Sequence, residues 1–218
     1  MRGLICKDLR LMLVQKNFFI MLAFVAFVCM AALDDPAFVV MYVTLIFTSF
    51  LLSTMSYDEF DNGYPFLFTL PITRKLYVQE KYVLGMAGGS IAWLLSTLLA
   101  GIAFFLTQGD FPPLSWFVLP FAALPMLALL IALMIPFKLK FGGENGRLAM
   151  LLAIAAVCAI FGAALGLMQS MGISVQAVTA VLPAMSMALS ALLILVICAL
   201  IVAISCGIST HIMEHREF

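Results

Sequence analysis

Six stretches of this chain are apolar over the thickness of a lipid hydrocarbon core, and charge is confined to the joints between them. They cover about 18–33, 37–55, 82–106, 114–137, 148–168 and 182–208. A helix needs about 20 residues to cross a core of roughly 30 Å, so each stretch can be one crossing, the first extended back over Val14. Lipid cannot satisfy open backbone groups, and the runs lack the polar alternation that barrel strands carry, which leaves helices. The sequence therefore predicts an all-α, polytopic membrane protein with about six transmembrane helices, folded as a single transmembrane domain over 1–218. At 65% hydrophobic and 10% charged residues, water could not solvate it as a separate soluble module.

The formal net charge is zero, which gives no reason to expect a nucleic-acid partner, and the placement of charge is more informative than its total. Arg2, Lys7, Arg10 and Lys16 precede the first span; Arg74, Lys75 and Lys81 join the second to the third. Lys138, Lys140 and Arg147 join the fourth to the fifth, and Arg216 follows the sixth. The opposite joints hold Asp34, Asp35 and Asp110. Basic residues mark cytoplasmic loops, so both termini are expected in the cytoplasm, with the chain in a bacterial inner or plasma membrane. The leading region could be read as a secretory leader ending near Ala31 and Ala32. Its own pattern argues otherwise: Leu4, Ile5, Leu9, Met12 and Leu13 share one helical face and Lys7, Arg10 and Lys16 lie largely off it. That describes an amphipathic helix over 2–16 lying on the cytoplasmic leaflet.

The six cores contain no ionisable side chain, which disfavours proton- or sodium-coupled transport through buried carboxylates and intramembrane hydrolysis. No catalytic, cofactor or metal residue is expected. His211-Ile212-Met213-Glu214-His215 follows the H-x-x-E-H order, but only three residues come after it and zinc needs a third protein ligand. Gly142-Gly143-Glu144-Asn145-Gly146-Arg147 is a glycine-rich turn without the Lys and Ser/Thr of a phosphate-binding loop. The five cysteines have no CxxC pair and read as small packing residues.

Helices in lipid associate where small residues let backbones approach. Gly85 with Gly89, and Gly162 with Gly166, supply two G-x-x-x-G faces, which could meet within the chain or across a dimer. Pro120, Pro125, Pro136 and Pro183 predict kinks or broken ends. The polar segment from Tyr57 to Tyr82 is too long for a turn. In it Leu70-Pro71-Ile72-Thr73-Arg74-Lys75-Leu76-Tyr77-Val78 reads as a turn opening a short amphipathic helix, which either docks a cytoplasmic partner or rests on headgroups.

That segment, through Lys81 and Tyr82, and Pro136-Phe137-Lys138-Leu139-Lys140-Phe141-Gly142 through Glu144, Gly146 and Arg147, carry a resemblance covering nearly the whole chain. The chain resembles the permease subunits of ABC-2 type ATP-binding cassette exporters, in particular the small six-span family without a fused ATPase, and is similar to exporters of amphipathic peptides such as phenol-soluble modulins. The resemblance implies an elbow helix over 2–16 and a coupling helix docking a separate ATPase subunit through Leu70, Pro71, Arg74, Lys75, Tyr77, Val78 and Lys81. Lys138, Lys140, Glu144 and Arg147 form a second contact on this reading, and 169–179 small extracellular helices. ATP and Mg would be bound by the partner ATPase, none by this chain, and a second permease copy or paralogue would complete the path. The substrate expected is an amphipathic peptide, a lipid or a hydrophobic drug. A membrane scaffold or regulatory subunit, and a stand-alone channel, are the rival readings.

Overall fold

A computed structural model describes residues 2–32, 36–59, 63–67, 69, 71–142 and 187–215. Among them the elements are α1 (Arg2–Val14), α2 (Lys16–Ala32), α3 (Ala37–Glu59), α4 (Gly63–Leu67), α5 (Arg74–Gln108), a 3-10 turn (Leu114–Phe117), α6 (Val118–Phe141) and α7 (Met187–Glu214). No strand occurs among the described residues. Four of these helices, α3, α5, α6 and α7, are long and apolar enough to cross a bilayer, and the count rises to five if α1 and α2 form one bent element. The expected fifth span, 148–168, and the extracellular segment 169–179 lie outside the described residues, as do Gly162 and Gly166. The sixth run is helical from Met187 and continues past its expected end to Glu214.

At Gln15 the chain bends by 68° between α1 and α2. The expected amphipathic face of α1 divides there. Leu4 and Met12 are buried while Leu9 and Leu13 stay exposed, because the face turned inward is Leu4, Asp8 and Met12, one helical turn apart each.

The coupling segment differs from its expectation. Rather than a short separate helix, Arg74 begins a helix of 35 residues that runs straight into the span, about 52 Å at 1.5 Å per residue. Thr73, extended at φ −82° and ψ 147°, caps it by accepting a hydrogen bond from the Leu76 amide at 3.2 Å. No Gly or Pro lies between Arg74 and Tyr82 to stop the helix. Gly109, at φ 78°, closes its far end in the left-handed conformation that glycine adopts freely.

The bundle is organised around α3, which packs on α5 and α6, while α7 packs on α6 and α5. The Gly85 and Gly89 face is used within the chain: Gly85 meets Ile131 and Leu52, and Gly89 lies against Leu127 and Thr48. A side chain at Gly89 would overlap the Leu127 methyl and stand 2.7 Å from Thr48 Oγ1. Gly89→Val is therefore expected to destabilise the bundle by about 1–3 kcal/mol, read as earlier thermal unfolding in detergent; an unchanged midpoint would show that α3 and α6 can retreat. Pro125 and Pro136 both lie inside a continuous α6. Deeper in the bundle the Tyr82 hydroxyl meets Ser205 Oγ at 2.6 Å and Ser209 Oγ at 2.9 Å, and Ser205 donates to the Ala132 carbonyl at 2.6 Å. These bonds tie α5, α6 and α7 together where lipid offers no polar alternative.

Candidate functional site

The ends of five helices converge on one side of the bundle, and the described basic residues that make contacts gather there. Arg74 Nη1 donates to the carbonyls of Met213 at 3.2 Å and Glu214 at 2.7 Å, closing the last turn of α7. Lys138 Nζ, near the end of α6, donates to the Leu52 carbonyl of α3 at 2.8 Å. Gln15, at the elbow, donates to the Tyr57 hydroxyl. The Arg74 bonds satisfy carbonyls that the end of α7 leaves open.

Within this junction sits a buried cluster of charge drawn from three helices. Lys81 of α5 pairs with Asp8 of α1 and, at 3.0 Å, with Asp58 of α3. Its amine also reaches Thr54 Oγ1 at 3.4 Å. Lys7 pairs with Asp58 and stands 3.2 Å from Asp8 Oδ1. Tyr77 donates to Asp58 Oδ2 at 3.0 Å, and the Tyr64 ring of α4 meets the Tyr77 ring edge-on with centroids 5.8 Å apart. Asp8 and Glu80 are fully buried and Lys81 is 1% exposed. Desolvating charges is costly unless they are paired and hydrogen-bonded. The shared amine of Lys81 meets that condition for Asp8 and Asp58, and by doing so fastens the elbow helix to the start of α5.

This geometry changes the part several expected docking residues play. Tyr77, Val78 and Lys81 are buried in the chain's own core. The reason is the continuous α5: its first two turns pack against α3 and α4 instead of lying free on the membrane surface. Arg74 is half-buried and engaged with α7, and Lys138 is turned toward α3. What the junction does expose is Pro71, Lys75 and Lys140, with Phe66 of α4 at 73% exposure. Leu70, Glu144 and Arg147 lie outside the described residues. His211 and His215 are exposed at the end of α7, where His215 Nδ1 lies 2.9 Å from the His211 carbonyl.

Asp8, Asp58, Glu80 and Phe66 were not among the expected site residues. Asp8 carried a signal: it stands at i+4 from Leu4 and i−4 from Met12, on the helical stripe that must be covered. Phe66 carried a weaker one, as a large apolar residue in a polar loop.

A family model described as "ABC-2 family transporter protein" matches residues 3–214. No curated protein and no solved structure matches the chain.

Proposed function

The chain belongs to the ABC-2 transporter family as a membrane permease subunit, and from this premise we propose that it lines the path of an ATP-driven exporter and takes its motion from a separate nucleotide-binding subunit. The observation that carries the coupling is the charge cluster joining α1, α3 and α5. Force applied to the segment from Gly63 to Lys75 enters a 35-residue helix at its first turn and is shared with the elbow through Lys81. An isolated surface loop would dissipate it.

On this reading the junction faces the cytoplasm, as the basic residues there favour, and both termini lie on that side of a bacterial inner or plasma membrane. The partner docks on Phe66, Pro71 and Lys75, and on Leu70 next to Pro71 in the sequence, while Lys140 at the exposed end of α6, with Glu144 and Arg147 further along the sequence, gives the second contact. ATP and Mg are bound and used by the partner. A second copy or a related permease completes the path. The described spans carry no charge between Ala37 and Met55 or between Tyr82 and Leu106, so an amphipathic peptide, a lipid or a hydrophobic drug is the substrate class that suits them.

The test is affinity purification of the tagged chain from its native membrane, identification of what accompanies it, and an ATPase assay. A stoichiometric ATPase is expected. Phe66→Ala with Lys75→Glu should lower ATPase recovery and substrate-stimulated turnover about tenfold, the effect of losing roughly 1.4 kcal/mol of contact, with melting unchanged. A chain that purifies alone and without ATP turnover sinks the reading.

A further inference from the structure

Three carboxylates and two amines meet in the junction cluster: Asp8, Asp58 and Glu80 against Lys7 and Lys81. One negative charge is in excess, and the geometry identifies where it rests. Lys81 directs its amine at Asp8, Asp58 and Thr54. Lys7 is taken by Asp58 and Asp8. Glu80 lies 3.7 Å from the Lys81 amine, and neither of its buried carboxyl oxygens makes a hydrogen bond. Asp8 Oδ1 likewise makes an ion pair without a hydrogen bond. A buried carboxylate left in that condition is strongly disfavoured. The smallest change that removes the excess charge is one proton. Among the described residues no group of three acidic, His or Cys side chains could hold a metal ion.

We propose that Glu80 is a proton-binding site whose occupancy sets how firmly the elbow helix α1 is held to α3 and α5. With the proton bound the cluster is neutral and Lys81 serves Asp8 and Asp58 alone. With the proton lost, Glu80 competes for Lys81 and repels Asp8, and α1 loosens from the junction. Glu80 stands two residues before the uncharged apolar run that begins at Tyr82, in the polar first turns of α5. Burial pushes its carboxyl up to about 7, against the pull of Lys81 and with the help of Asp8, while Lys7 lowers it and Asp58 raises it. The folded chain thus holds this proton more tightly than the unfolded chain, whose glutamate titrates near 4.5. Stability contributed by the proton is complete below that value, falls as pH rises toward 7, and is gone above it.

The experiment needs no partner. Thermal unfolding of the purified chain in detergent, followed from about pH 5 to pH 8 at constant ionic strength, should show a midpoint falling by several degrees. Glu80→Gln, neutral and of the same shape, should abolish that fall and match or exceed the native chain at pH 8. A native chain with no slope, an E80Q chain that keeps the slope, or an E80Q chain less stable at every pH would each overturn the proposal. Should E80Q fail to fold, amide hydrogen exchange on the native chain decides. Corrected for intrinsic rates, protection over residues 3–14 should be lower at pH 8 than at pH 6, and equal protection overturns the proposal.

Discussion

Lys81→Met is expected to destabilise the folded chain by about 3–5 kcal/mol, the range for removing one partner of a buried charge pair. The methionine stem fills the space of the lysine stem, so packing changes little and the loss is electrostatic. Asp8 and Asp58 would then face each other across Thr54 with only Lys7 between them. Neither carboxylate can turn to water, since both side chains are at most 6% exposed. Such a loss is a large part of what holds most domains together, so the variant should be recovered poorly or melt far earlier in detergent. Adding Asp8→Asn should restore part of the stability, because it removes a charge that no longer has its partner. A double-mutant cycle over the two sites would give the coupling between them. A K81M chain that melts with the native one would mean that water reaches the cluster, and that the elbow is held without Lys81, by Leu4, Met12 and the Lys7–Asp58 pair.

What the sequence revealed of this molecule was whatever depends on one residue's immediate neighbours along the chain. Apolar runs ended where charge began, Thr73 announced a helix start, and Gly85 and Gly89 announced a close approach. The charge cluster could not be read in this way, because Lys81 and Asp8 are 73 residues apart and no local spacing encodes their meeting. Glu80 and Asp8 lie in polar joints of the sequence, and only the packing of α1, α3 and α5 excludes water from them. The coupling segment was a different kind of error. Its start was legible, but so was the lack of any helix breaker between Val78 and Tyr82, and a helix once nucleated continues at little cost. Reading that continuity would have moved Tyr77 and Val78 from the surface to the core.

Tyr77→Ala provides the sharpest separation of those two placements. On a docking surface, truncation would leave the chain intact and weaken its partner. In this fold Tyr77 is fully buried, its ring packs against Tyr64, and its hydroxyl supplies one of the donors that hold Asp58. Aromatic truncation at such a position costs about 3–5 kcal/mol. The variant should therefore lose thermal stability and yield before any question of coupling can be asked. Tyr77→Phe keeps the ring and removes the hydroxyl's bonds to Asp58 and Tyr64, so about 1 kcal/mol is expected, since Lys7 and Lys81 still hold the Asp58 carboxylate. Lys75→Glu, two residues before Tyr77 and exposed, should melt with the native chain. If Y77A instead melted normally while losing its ATPase partner, α5 would have to begin beyond residue 77, and the coupling segment would be a separate helix after all.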